Sequence, residues 1–166
     1  MSADTALQSR VAAAVAAPFG GIEIESDGES ITGLRFVPQV RAIEPAHELA
    51  ARAAMQLAAY LADPHAIFDL PLKVRGTEFQ RQVWQAIAEI PCGATRSYGE
   101  IASELQIPAR AIGQACGDNR LPVVIPCHRV IGADSLGGFA HSKGGFELTV
   151  KRWLLEHENA LRGPLL

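Results

Sequence analysis

The chain has 166 residues, enough for one domain or two small ones, and its 48% hydrophobic and 20% charged content is that of an ordinary globular protein. A net charge of −3 offers no overall attraction to nucleic acid, the three cysteines (Cys92, Cys116, Cys127) form no disulfide framework, and no CxxC or HxxxH pair offers a zinc site. No stretch could span a membrane, and the alanine-rich start carries Asp4 and Arg10 and lacks the long apolar core of a secretion signal, so a reducing, cytoplasmic location is expected.

The charge is unevenly placed. Residues 1–72 hold 4 Lys+Arg against 9 Asp+Glu, whereas residues 73–166 hold 11 against 9. An acidic first part and a mildly basic second part leave room for a basic patch in the second.

Residues 10–17 fit strand or helix equally, and Pro18-Phe19-Gly20-Gly21 ends them either way. Gly21 to Glu25 and Ser30 to Val37 flank Ser26-Asp27-Gly28-Glu29 and predict a hairpin. Ala46 to Leu61 has apolar residues at helical spacing and is stopped by Asp63-Pro64. Residues 62–76, with Pro64, Pro71 and Gly76, read as a linker, dividing the chain into domains 1–72 and 73–166.

Thr77 caps a helix over Glu78 to Ile90, with Phe79, Val83, Trp84 and Ile87 on one face and Trp84 in the core. Pro91-Cys92-Gly93 ends it, and Cys92, with no adjacent cation, is structural. Ser97 caps a short helix, Tyr98 to Leu105, and a turn through Gln106-Ile107 leads to a second, Pro108 to Cys116. Two short helices around a tight turn have the shape of a DNA-binding helix-turn-helix, and plain helix packing gives the same pattern. In the second helix Ala109, Ala111, Gly113 and Ala115 are small and Arg110 is the only charge. That composition suits close approach to a minor groove with one cation reaching into the base stack, or tight helix packing with Arg110 solvated.

Gly117 takes the position just past that helix, and Asn119 can order the following turn through its side chain. The apolar run Val123-Val124-Ile125 then reads as a buried strand, broken by Pro126 immediately before Cys127-His128-Arg129. A thiol followed by imidazole and guanidinium is a candidate nucleophile, since both neighbours would lower its pKa. Gly132 to Gly145 is a loop with five glycines, too long for an idle connection. Phe146 to His157 is a last helix, and Glu156 and Glu158 at its C-terminal end oppose the helix dipole, which makes sense if one carboxylate holds a histidine in one tautomer.

The segments GTEFQRQVWQAI (76–87), IPCG (90–93), SYGEIA (97–102), ARAIGQACGDN (109–119), VVIPCHRV (123–130) and KRWLLEHE (151–158) together resemble, in order and spacing, the C-terminal domain of the O6-alkylguanine-DNA alkyltransferases. The acidic N-terminal part is similar to the family's variable domain only in outline. The resemblance implies an α+β fold: a small N-terminal sheet-plus-helix lobe, then a mostly helical C-terminal domain with a helix-turn-helix and a short strand pair. It implies a monomer that flips O6-alkylguanine out of double-stranded DNA, with O4-alkylthymine as a further candidate lesion. The alkyl group would pass irreversibly to Cys127, once per molecule, with no metal or cofactor.

Carried over by position, His128 is the base acting through a water, Glu158 orients it and Asn119 orders the turn. Tyr98 helps turn the nucleotide, and Arg110 fills the stack from a helix whose Ala109, Ala111 and Gly113 allow close approach. Pro122 and the backbone of Val130 line the guanine pocket, Phe139 stands over it where many members have tyrosine, and Arg129 belongs to the same DNA-binding surface. The segment from Ala140 to Gly145 is longer than the family's usual link. The competing functions are a non-catalytic module that recognises alkylated DNA, against which Cys127 speaks, and a cysteine hydrolase, which leaves the helix-turn-helix unexplained.

Overall fold

A computed structural model of the chain describes residues 11–139, 141 and 144–161. Asp4 and Arg10 of the alanine-rich start, and Ala140, Ser142 and Lys143 of the glycine-rich loop, lie outside the described residues. The architecture is α+β, in two compact units: one ends at Val74 and the other begins at Arg75. Among the described residues no helix is long and apolar enough to cross a membrane.

The first unit is an antiparallel sheet, β1 (Val11–Ala17), β2 (Gly20–Ser26) and β3 (Ile31–Val37), covered by helix α1 (Glu48–Ala62). The Val/Ala run of β1 has no strong preference of its own; its ladder with β2, Val15 opposite Ile22, makes it a strand. The hairpin turn forms because Asp27 Oδ1 accepts the backbone N–H groups of Glu29 (2.9 Å) and Ser30 (2.8 Å) while Gly28 takes φ 95°. Ile22, Ile24 and Leu34 of the sheet and Ala50, Ala53, Leu57 and Tyr60 of α1 are buried. The proline-bearing stretch after α1 is not a free linker. Pro71 O accepts from Ile31 N (2.8 Å), Lys73 N donates to Ile31 O (2.9 Å), and Asp69 exchanges hydrogen bonds with the Gln56 amide. Proline stops regular structure there without stopping the chain from docking along the sheet.

The second unit opens with α2 (Glu78–Ala88), whose capping box pairs Thr77 Oγ1 with Gln80 N (3.0 Å) and Gln80 Oε1 with Thr77 N (2.9 Å). Strand β4 (Arg96–Ser97) runs straight into α3 (Tyr98–Leu105), capped by Ser97 as the sequence predicts. Gln106, in left-handed conformation at φ 56°, turns the chain into α4 (Ala109–Gly117). A two-residue strand β5 (Val130–Ile131) pairs in parallel with β4, and α5 (Gly145–His157) closes the unit. Val83, Ile87, Ile101, Ile112, Val150 and Leu154 are fully buried.

Two local expectations are corrected. Gly117 is the last residue of α4, without positive φ, and Asp118 is the cap. The run before the cysteine is a turn rather than a strand: Ile125 N bonds to Leu121 O (2.8 Å), and Val123 adopts φ 73°. Pro122 and Pro126 deny a ladder two donors, and Asn119 takes the polar groups a ladder would need, Oδ1 accepting from Leu121 N (2.9 Å) and Nδ2 donating to Ile125 O (2.9 Å). The strand comes after the cysteine, as β5.

Trp84 is core, 4% exposed, and its indole Nε1 donates to Ala115 O (2.7 Å), a carbonyl in the last turn of α4. Replacing Trp84 with Phe leaves that carbonyl short of a buried partner, and we expect a loss of about 1–3 kcal/mol in urea unfolding. A change below about 0.5 kcal/mol would mean that the bond does not hold α4.

Candidate active site and nucleic-acid interface

Cys127 opens a single 3-10 turn, Cys127–Arg129, and is 2% exposed. Its sulfur accepts a hydrogen bond from Asn119 Nδ2 (3.2 Å), so the side chain that shapes the preceding turn also holds the thiol. Burial pushes the Cys127 thiol well above its usual range, and the neighbouring Cys116 thiol adds to this; the Asn119 amide and the Lys151 ammonium pull the other way without prevailing. The sequence expectation that His128 and Arg129 would acidify the thiol is therefore corrected. Burial depresses the pKa of His128, keeping it neutral, and Arg129 is committed elsewhere.

That commitment is to Glu158. Arg129 donates from Nε to Glu158 Oε1 (2.8 Å) and from Nη2 to Oε2 (3.0 Å), while its Nη1 donates to Ile90 O (2.6 Å). His128 Nε2 lies 2.9 Å from Glu158 Oε2, and both side chains have no exposed surface. A carboxylate held bidentately by arginine only accepts, so Nε2 carries the histidine's proton. Nδ1 is then the bare nitrogen, and it is buried without a hydrogen-bond partner. Glu158 is the C-cap of α5, which accounts for an acidic residue at the wrong end of a helix.

The thiol faces a cavity of about 530 Å³ between α4 and the loop after β5. One face of α4 forms a wall through Ala109, Arg110, Gly113, Gln114, Cys116 and Gly117, with Ala109 and Arg110 exposed. Tyr98, Gly138, Phe139 and His141 complete it. Tyr98 Oη donates to Gly138 O (3.2 Å), and Gly137, at φ 72°, passes so near that a Cβ there would meet the Tyr98 ring at 2.7 Å. Burial pushes the Tyr98 hydroxyl pKa far up, so it stays a donor.

Of the residues singled out from sequence, the fold brings Cys127, Tyr98, Ala109, Arg110, Gly113 and Phe139 to one cavity, with Asn119 on the sulfur and His128 and Glu158 behind it. Ala111, Pro122, Arg129 and Val130 are not among the cavity-lining residues. Arg129 braces Glu158 instead, and the Val130 carbonyl accepts from Lys151 Nζ (2.7 Å). Lys151 was missed. It is fully buried, also donates to Gly138 O (2.9 Å), and lies 5.7 Å from the Tyr98 ring centroid. Burial lowers its pKa to about 8, and the thiols of Cys116 and Cys127 raise it back in part. The available signal was its spacing, three residues from both Leu148 and Leu154 on the helix's apolar stripe. Among the described residues no cluster of three or more His, Cys, Asp or Glu could hold a metal ion.

Residues 78–160 match the family model of the DNA-binding domain of 6-O-methylguanine DNA methyltransferase. A methylated-DNA–protein-cysteine methyltransferase of Mycobacterium tuberculosis is 41% identical over 155 residues, covering 89% of this chain and 90% of the relative. The crystal structure of the M. tuberculosis O6-methylguanine methyltransferase superposes with a TM-score of 0.73 at 37% identity, over 92% of this chain and 96% of that one. The structure of M. tuberculosis OGT in complex with DNA gives 0.72 at 39% identity, over 89% and 91%.

Two outcomes follow from the geometry. Arg129→Ala strands a buried carboxylate and should cost about 3–5 kcal/mol in denaturant unfolding, with Arg129→Lys intermediate because a single ammonium cannot make the fork. A raised thiol pKa leaves less thiolate at neutral pH. Carbamidomethylation of Cys127 by iodoacetamide, mapped by peptide mass, should therefore keep accelerating through about pH 9, past the midpoint of an ordinary thiol near 8.5. A plateau at or below about pH 7 would mean that the surrounding donors outweigh burial.

Proposed function

The chain belongs to the methylated-DNA–protein-cysteine methyltransferase family, and we propose that Cys127 is its acceptor: an O6-alkylguanine turned out of duplex DNA enters the pocket, and the sulfur takes the alkyl group and keeps it. The observation that carries this reading is that a buried thiol facing a cavity shares that cavity with an exposed helix face bearing one cation. A base stacked in a duplex cannot reach such a thiol, so it must leave the stack. The small side chains of α4 let its backbone approach the minor groove, and Arg110 fills the gap left behind.

The bare Nδ1 of His128 takes the thiol proton through a bridging water, and Glu158 stabilises the resulting imidazolium. Asn119 and Lys151 hold the sulfur's negative charge. The thiolate attacks the alkyl carbon. An S–C bond forms, the C–O6 bond breaks with its electron pair on the guanine oxygen, and the base recovers the proton that the thiol gave up, returned from the His128 imidazolium through the water. A thioether is a poor leaving group, so each molecule acts once. Residues 73–166 carry the chemistry and the DNA contacts, and the acidic N-terminal lobe supports them. The reaction needs groups from a single copy, and we take the protein to act as a monomer in the cytoplasm, where its thiols stay reduced.

Incubation with a duplex containing one O6-methylguanine should add one methyl group per molecule, mapped to Cys127, and then stop. Cys127→Ala should abolish the gain while retaining binding to the alkylated duplex. Arg110→Ala should slow repair of duplex far more than reaction with free O6-methylguanine. Binding without any mass gain would overturn the reading in favour of a recognition module.

A further inference from the structure

Gly138, Phe139 and His141, from the loop between β5 and α5, line the cavity opposite α4, and two pins tie them back. One is the Tyr98–Gly138 hydrogen bond, reinforced by Lys151 on the same carbonyl. The other is His141. Its Nε2 lies 2.8 Å from Asp118 Oδ1, while Asp118 Oδ2 accepts from Gln80 Nε2 (3.0 Å), so the receiving carboxylate is itself anchored to α2. Its ring rests directly on Gly117: a Cβ there would stand 2.3 Å from Nδ1 and 2.4 Å from Cε1. Gly117 has helical backbone and needs no glycine for its own conformation, so the missing side chain serves the imidazole. His141 itself takes φ 64°, an uncommon conformation for a residue with a side chain.

We propose that His141 is a specificity-determining residue, a clasp that fixes the width of the pocket and thereby the size of the alkyl group admitted. The proposal rests on the alkyl-transfer reading of Cys127. His141, Gly117 and Cys116 line the same cavity as Cys127, and Gly117 follows Cys116 in the last turn of α4. The clasp thus stands on a wall of the cavity that the sulfur faces and that an O6 substituent must enter to be transferred. With the Tyr98 pin holding Gly138 and the Asp118 pin holding His141, the gap to α4 is set at two points. Loosening the second pin widens the pocket at His141 and leaves the Tyr98 pin in place.

Rates of transfer from duplexes carrying O6-methylguanine and O6-butylguanine, followed by intact mass, test this. His141→Ala should raise the butyl-to-methyl rate ratio roughly tenfold, the low end of what one methylene is worth in a pocket. Gly117→Ala keeps the histidine but evicts its ring, and should give the same rise. The double variant should rise no further, because both changes undo one contact. His141→Gln, which retains a donor for Asp118 but no ring, covers the case in which the alanine variant does not fold. Labelling of Cys127 with methyl and butyl methanethiosulfonate reads the same width without DNA, and its butyl-to-methyl ratio should rise in parallel. Unchanged ratios in both assays, or additive effects of Gly117→Ala and His141→Ala, would overturn the clasp. A wild-type protein that reacts with the thiosulfonates but not with alkylated DNA would overturn the alkyl-transfer reading alone.

Discussion

The buried carboxylate of Glu158 is the contact on which the second unit depends. It sits at the end of α5, and its two oxygens receive the Arg129 fork and the His128 ring, both from the turn that carries Cys127. An ion pair out of water contributes little net stability against an apolar alternative, but removing one partner is costly. Its value here is positional. It fixes the last helix to the cysteine turn, extends through Arg129 to Ile90 just past α2, and determines which histidine nitrogen is bare.

The same burial that makes this cluster rigid works against the nucleophile. A thiol at 2% exposure is held protonated, and the groups that favour its anion, Asn119 and Lys151, do not overcome the missing water. A resting thiol is nonetheless an advantage in a protein used once, because a permanently ionised sulfur would be spent on oxidants and adventitious electrophiles. Within the proposed mechanism the anion is needed only when a base fills the pocket, and the neutral His128 with its bare Nδ1 is suited to that moment.

Local signals were legible where sequence-near chemistry decides structure. Thr77 before Glu78, Ser97 before Tyr98, and Asp27-Gly28 each specify a cap or turn through atoms a few residues apart, and each stands where expected. The run Val123-Val124-Ile125 misled because three β-prone residues outweighed the two prolines around them, and because an asparagine side chain outside the run took over its hydrogen bonds. Arg129 misled for a related reason: a cation beside a cysteine in sequence is not beside its sulfur once a turn points the two side chains apart. Lys151 and Gly117 acquire meaning only through partners at Gly138 and His141, more than ten residues away, and no periodicity encodes those.

The β4–β5 pair is only two residues on each side, too short to count as a sheet. Yet the 32 residues from Tyr98 to Arg129, which hold both α3 and α4 and the cysteine turn, are the crossover between those two strands. A parallel pair cannot form until its whole connection has been gathered in, and the entropy of closing that loop is spent before the ladder returns anything. In kinetic terms the reactive turn and the helix pair are therefore assembled in one closure. Isolated helices can come and go in microseconds, but the cavity exists only after the ends meet, so partly folded chains carry the cysteine without the pocket that gives it a substrate.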